Sequence, residues 1–340
     1  MAMNALAAER FRRFKRNKLG VISAWIFGVL FFLSLFAEFL ANDKPLLLTH
    51  NGRLYAPVFV DYPETEFGGE FETTADYRDP FVKNLIEESG RMIWPPIRFS
   101  FNTINYNLPS PAPSPPTREN WLGTDDRGRD VMARVIYGFR ISVLFGFTLT
   151  VVSAAVGVSV GAFMGYFGGK LDIMGQRVIE VWGSLPTLFI LIILSSIVTP
   201  NFWWLLGILL LFQWMGFVGV VRAEFLRARN LEFVLSAKAM GLSDRLIIYR
   251  HVLPNAMVAT LTFMPFSLSG SVTILTSLSF LGFGLPPGSP SLGELLAQAK
   301  ANLQAPWLGI SAFVVLALIL TLLVFAGEAV RDAFDPRKAV

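Results

Sequence analysis

Very few residues of this chain are of a type that performs chemistry. The 340 residues include no cysteine and only two histidines, His50 and His251. A disulfide framework and a thiolate metal site are therefore excluded, and a histidine-based metal centre is short of ligands. No Gly-rich loop ending in Gly-Lys-Ser/Thr occurs, so the chain has no phosphate cradle with which to bind or hydrolyse ATP. No catalytic, cofactor-binding or metal-ligating residue is assigned. Glu38, Glu180 and Arg140 lie beside apolar runs and read as interfacial anchors, because they do not assemble the buried acidic or histidine relay that a proton-driven carrier needs.

Two charged clusters remain. In the first, Asp125, Asp126, Arg127, Arg129 and Asp130 sit among Gly123 and Gly128, which permit tight turns. It reads either as a local charge knot or as a contact for a partner chain. The second runs from Glu232 to Pro254, the only long hydrophilic segment in the C-terminal two thirds of the chain.

The surroundings of these clusters are apolar. With 53% hydrophobic and 16% charged residues, the chain is a membrane protein. A basic head (Arg10, Arg12, Arg13, Lys15, Arg16, Lys18) precedes a charge-free run that lacks a small-residue cleavage site, so it reads as a retained first span and not as a signal peptide. Residues 141–169 carry no charge and contain Gly146, Gly157, Gly161 and Gly165, small residues that let helices approach closely in lipid. Residues 181–221 are charge-free over 41 positions, twice the roughly 20 that one span needs, so they must fold back, with Thr199-Pro200-Asn201 as the outer hairpin. A fifth span over 256–283 stops at the Gly- and Pro-rich segment that follows. Basic residues gather in the segments that six spans would place inside, at both termini, after the second span and between Arg222 and Arg250. This pattern predicts cytoplasmic N- and C-termini.

Residues 42–138 are different, with ten basic and fourteen acidic residues. They form the one candidate extramembrane domain, long enough for a small fold but with its apolar area mostly Phe and Tyr, so it is expected to lean on the membrane part or a partner and not to build a large core of its own. Pro109 to Pro116 reads as a stiff polyproline spacer.

In the Glu232 segment, Phe233, Val234, Ala237 and Met240 are predicted on one helical face, with Asn230 as N-cap, Gly241 as the positive-φ stop and Ser243 capping a second helix. Such a corner reads as a surface loop, as a helix-turn-helix DNA reader or as a docking knob, and tethering between two spans disfavours DNA.

At these residues the chain resembles the permease subunits of ABC importers, whose cytoplasmic loop reads Glu-Ala-Ala, three residues, Gly, then Leu-Pro. Ala237, Gly241, Leu253 and Pro254 match. Leu235 stands in place of the usual Glu and Ser236 in place of the first Ala. Leu122-Gly-Thr-Asp-Asp-Arg-Gly-Arg-Asp-Val131 and Leu278-Ser-Phe-Leu-Gly-Phe-Gly284, with Ala305-Pro-Trp307 and Arg331 to Arg337, are similar to the C-type permeases of peptide and nickel importers. The large insert is similar to a branch that handles peptides and microcin C-like conjugates.

The resemblance implies an all-α membrane protein with six transmembrane helices of the type I ABC importer permease fold and a large periplasmic insert after the first. The expected organisation is a cytoplasmic basic segment over 1–18, a first span over 19–41, the insert over 42–138 and a permease core over 139–340. Core spans are expected at 139–167, 178–199, 202–221, 256–283 and 303–327, with a cytoplasmic coupling loop at 222–255. The implied function is a bacterial inner-membrane permease for peptides. Its implied partners are a second homologous permease, ATPase subunits holding ATP and Mg, a periplasmic binding protein and membrane lipid, with no nucleic acid. The implied ATPase contacts are Phe233, Ala237, Lys238, Ala239, Met240, Gly241, Leu253 and Pro254. With Leu235 in place of the acid, the contact shifts toward apolar docking around Met240. A nickel or other small-solute permease and a secondary carrier are the alternatives.

Overall fold

The computed structural model describes residues 2–334, and side chains from residue 8. Arg337 and Lys338, counted above as inner basic residues, lie outside the described residues.

The chain opens with α1 (Ala2–Arg16), an amphipathic helix, and α2 (Lys18–Leu35), a short step from α3 (Ala37–Leu40). Asn17 caps α2 by accepting from the Gly20 N–H at 3.1 Å. The insert follows, and contrary to an all-helical expectation it contains a three-stranded antiparallel sheet. Strands β1 (Leu47–His50), β2 (Arg53–Tyr55) and β3 (Gly90–Ile93) are ordered β2-β1-β3, with Leu48 opposite Tyr55 on one side and Met92 on the other. Helix α4 (Pro80–Ser89) covers it. Leu48, Phe67, Tyr77, Val82 and Ile86 are buried together with Tyr55, Tyr62 and Trp94 around them. The insert thus has a small aromatic core of its own. A second cluster, Ile97 and Phe99 against Ala37, Ala41, Ala133 and Tyr137, fastens it to the membrane part. The Pro-rich stretch is not a free spacer. Ser114 is buried, and its backbone exchanges hydrogen bonds with Thr124, so the segment is folded onto the loop ahead of the next helix.

Helix α5 (Val131–Phe167) begins eight residues before the expected 139, because Asp130 caps it by accepting from Ala133 N–H at 2.7 Å. Arg140 therefore lies inside this helix. Then come α6 (Gly169–Gly183) and α7 (Thr187–Ser195), bent by 56° relative to each other. The expected single span at 178–199 is thus a broken one. Pro186 has no N–H to donate and pushes Leu185 out of helical geometry, which accounts for a break at that point. Asn201, in the expected hairpin, caps α8 (Phe202–Gln213) through Trp204 N–H at 2.9 Å. After a step at Trp214, α9 (Met215–Ala228) extends seven residues past the expected end. The coupling region holds α10 (Glu232–Ala239), α11 (Asp244–Leu246) and a π-helical turn, Ile247–Val252. It passes straight into α12 (Leu253–Phe280), followed by α13 (Leu292–Ala301) and α14 (Pro306–Phe334).

Among the described residues, five helical stretches are long and apolar enough to cross a membrane, or six if the bent α6–α7 pair is one span. Packing follows small residues. Gly157, Gly161 and Gly165 recur every fourth residue on one face of α5, where a Cβ would come within 2.5, 2.9 and 2.7 Å of the carbonyl oxygens of Trp214, Val218 and Arg222. Helices α5 and α9 consequently touch backbone to backbone, the packing that replaces the hydrophobic effect in lipid. Asn17 donates to Asp332 at 3.4 Å, and Arg10 lies over the Phe334 ring. Both ends of the described chain therefore lie at one end of the bundle. Tyr137 Oη, near the other end of α5, reaches the Ala41 carbonyl at 3.0 Å. The insert thus occupies the opposite end from the coupling region.

Candidate coupling corner and outer charge knot

Helix α10 starts after Leu231, which takes the N-cap position in extended conformation without a side-chain bond. Asn230, the expected cap, lies one residue too early. At the other end Met240 is the C-cap and Gly241 has φ of +78°. Gly241 N–H donates to the Lys238 carbonyl at 2.9 Å and Leu242 N–H to that of Ala237 at 3.2 Å. This pair of bonds is the Schellman closure, which needs a left-handed residue at the Gly241 position. Ser243 precedes α11 but makes no side-chain cap bond.

The expected single apolar face is divided. Val234 and Ala237 are buried with Ile247, Val252, Ala256, Val221, Phe225 and Tyr166. Phe233 and Met240 are turned outward, with Met240 73% exposed. Successive helical residues are about 100° apart, so Phe233 cannot share the face of Val234. Leu231, Leu235, Leu246 and Tyr249 are exposed as well, and Lys238 and Ala239 lie on the outer side. The corner thus has an apolar inner face on the spans and an apolar outer face with no partner among the described residues. Leu253 and Pro254 open α12, with Leu253 packed against the inner cluster and Pro254 exposed in the first turn. Lacking an N–H, Pro254 leaves the Arg250 carbonyl without its usual i+4 donor, and the wider π-turn lies directly ahead of it.

Tyr166 ties the corner to the bundle and a separate ion pair ties α9 to α6, and neither was foreseen from the sequence. Tyr166, in the last turn of α5, donates to Asp244 at 2.5 Å, while Lys238 Nζ sits 4.7 Å from the centre of its ring. One side chain thus engages both halves of the corner. Arg222 of α9 pairs in fork fashion with Asp172 of α6, Nη2 to Oδ2 being 2.6 Å.

At the opposite end the acidic and basic residues around Gly128 form a folded knot. Asp125 is buried and accepts from the backbone N–H groups of Arg127 and Arg129, each at 2.9 Å, and from Arg129 Nε at 2.7 Å. Arg129 also reaches Glu294 at 3.2 Å. Arg134, fully buried, donates to Glu294 at 2.9 Å, to the Ser289 carbonyl at 2.9 Å and to the Phe101 carbonyl at 3.2 Å. Asp130 receives Asn120 Nδ2 at 2.8 Å besides capping α5. Burial disfavours the charged forms of Asp130 and Asp126 and raises both carboxyls above the usual range. Burial also opposes the Arg129 charge, but its hydrogen bond to Asp125 and the charges of Asp125 and Glu294 hold that guanidinium above its ordinary value. Of the five candidate contact residues, Asp125, Arg129 and Asp130 are therefore inside the protein, and only Asp126 and Arg127 present surface. The partner-contact reading fails for the three buried ones because their hydrogen-bonding capacity is spent locally. The residues sequence reading missed, Arg134 and Glu294, left a signal: Glu294 is the first charge after a long uncharged stretch and stands in a Ser291-x-x-Glu294 capping pattern, with Glu294 N–H donating to Ser291 at 3.4 Å.

A bundle of five or six membrane-length helices, closely packed through small residues, has the architecture of a membrane permease. The chain belongs to the family of binding-protein-dependent transport system inner membrane components, whose model matches residues 157–340. It is thus a multi-pass inner-membrane permease subunit of an ABC importer. A second model, the N-terminal transmembrane domain of oligopeptide transport permease C, matches residues 6–64.

Within that family the resemblance is to permeases of the YejE kind. The inner membrane ABC transporter permease protein YejE of Escherichia coli (strain K12) is 61% identical over 331 residues, covering 97% of both chains. The peptidoglycan transport system permease protein YejE of Agrobacterium fabrum is 58% identical, covering 97% of this chain and 93% of that one. OppC of Lactococcus lactis subsp. lactis, an oligopeptide transport system permease, is 33% identical, covering 70% and 82%. A permease chain of the MetNI methionine ABC transporter, solved in an inward-facing conformation, superposes with a TM-score of 0.52 at 17% identity, covering 60% of this chain and 98% of that chain. That likeness establishes the type I importer fold.

Proposed function

We propose that this chain is one half of a heterodimeric pathway that imports peptides, with peptidoglycan-derived peptides and microcin C-like conjugates in the same substrate class. The names of its relatives support a peptide-class cargo over nickel. A periplasmic binding protein delivers the cargo, which crosses between this chain and a homologous permease. ATP and Mg are held by separate ATPase subunits, since this sequence carries no phosphate loop. The termini and the coupling corner face the cytoplasm, as the basic residues at that end favour.

The observation that carries the reading is the Schellman-closed corner with an unpartnered apolar outer face, Leu231, Leu235, Met240 and Tyr249, on a bundle whose inner face is already filled. An ATPase groove that accepts residues 231–242 moves the corner as a rigid body, and Tyr166 passes that motion to α5. The test is uptake of labelled oligopeptide and labelled peptidoglycan peptide by proteoliposomes holding the two permeases, the ATPase and the binding protein. ATP-dependent uptake is expected. Uptake that survives ATP depletion and collapses with the proton gradient would instead make the chain a secondary carrier.

A further inference from the structure

The insert carries an aromatic feature that neither its own core nor the knot uses. Phe32 and Phe36 of the first span have ring centroids 5.1 Å apart, Phe36 and Phe39 6.2 Å, and Phe39 and Phe59 5.6 Å. The ladder starts on the membrane span and ends on the turn over residues 56–60 of the insert. Every ring in it is exposed, and the last, Phe59, is 72% exposed beside an exposed Val60. The turn is held in place. Phe59 N–H and Val60 N–H both donate to the Ala56 carbonyl, at 3.0 and 3.2 Å. Lys44 is paired with Asp61 at its edge.

The depth of the turn follows from helix geometry. From Leu19 to Leu35 helix α2 rises about 24 Å, most of the roughly 30 Å hydrocarbon core of a bilayer, and the helix breaks at Phe36 before the short α3 that carries Phe39. Glu38, beside Phe39, is ion-paired with Arg140 at 2.9 Å, a polar pair of the kind that marks the headgroup level. Phe32 and Phe36 are exposed on the span, and Phe59 continues their surface through the ring contacts of Phe39. We infer that the turn over residues 56–60 is an interfacial foot, seating Phe59 and Val60 in the outer leaflet at the headgroup boundary and so fixing the height of the insert above the membrane. Phenylalanine and valine on a rigid turn suit that partner, since the interface rewards apolar area that water penalises.

The chain has no cysteine, so single labels are unambiguous. Phe59→Cys and, as a control on the most exposed aromatic residue of the insert, Tyr106→Cys are to be made in the full chain, each carrying a nitroxide. The labelled chain is reconstituted with its transport partners in phosphatidylethanolamine–phosphatidylglycerol bilayers, and collision with oxygen is compared with collision with a water-soluble nickel chelate. At position 59 oxygen is expected to exceed the chelate several-fold, and at 106 the order is expected to reverse. Chelate access at 59 equal to that at 106 would overturn the proposal. Exclusion of both reagents at 59 would also overturn it, by placing a protein partner over the turn.

Discussion

Arg134, in the first turn of α5, donates to Glu294 of α13 at 2.9 Å across 160 positions of sequence. The guanidinium also holds carbonyl groups from the insert and from the loop before α13, so one buried side chain joins three separate segments at the outer end of the bundle. Arginine suits this place because its planar fork offers five donors in fixed directions.

Removing that side chain takes from Asp125 and Glu294 one of the two guanidinium groups they share, leaving Arg129 beside both. Arg134→Leu is expected to destabilise the protein by about 3–5 kcal/mol, the range for stripping one member from a buried ion pair. Glu294→Gln keeps an acceptor toward Arg134 and should cost about 1–2 kcal/mol. Denaturant unfolding in detergent micelles measures both. No loss in Glu294→Gln would mean that the charge of the pair contributes nothing, and a loss equal to that of Arg134→Leu would mean that the charge carries the whole tie.

The corner turn rests on Gly241. A Cβ there would meet no atom within 4 Å, so substitution acts through the backbone alone. A β-branched residue in the left-handed region costs about 1–2 kcal/mol, and Asn tolerates that region better. Gly241→Val is expected to lower peptide uptake per ATP hydrolysed in proteoliposomes, and Gly241→Asn to lower it less. Full coupling in the Val variant would count heavily against a role for this turn.

Leu235 and Met240 are both exposed, 52% and 73%. Placing a carboxylate on an apolar contact costs its desolvation, whereas Leu235→Ala only trims area. Met240→Asp should therefore weaken co-purification of the ATPase at least tenfold, and Leu235→Ala by no more than a few-fold. The reverse order would sink apolar docking.

Tyr166→Phe keeps the ring under Lys238 and removes the hydrogen bond to Asp244. Loss of one such bond to a charged acceptor is worth about 1.5–3 kcal/mol. The expected result is normal ATPase assembly with reduced uptake per ATP, and Tyr166→Phe combined with Asp244→Asn should be no worse than either alone. Additive losses would place the two residues in separate functions.

Asp130 gives a pH dependence with a definite sign. Its carboxyl is raised in the folded protein, chiefly by burial, so the native state binds the proton more tightly than the unfolded chain. Stability is then highest at acid pH and falls as pH rises from the ordinary carboxylate range toward the elevated folded value. Melting temperatures across that window should fall more steeply for the native chain than for Asp130→Asn. Parallel curves would remove Asp130 as the source.

The coupling corner was legible because its signals are local. A left-handed stop, a polar island and membrane-length flanks are all visible over a dozen residues, and Gly241 occupies the conformation its type foretold. The division of its face was less visible, since the identity of Phe233 and Met240 does not say which apolar residues the bundle has room for. The sheet of the insert was not legible for a related reason: short strands such as β1, which pairs with β3 about 40 residues away, leave little periodicity.

By itself the sequence determined what a membrane imposes. Backbone groups in lipid must be satisfied within each segment, so charge-free length and glycine spacing specify spans, and their order carries the family. Tertiary structure decided everything that depends on side chains meeting across long separations. It turned Asp125, Arg129 and Asp130 inward, brought Arg134 to Glu294 and set Tyr166 beneath the corner. Those pairings arise from packing of whole helices, whose relative rotation no local pattern encodes.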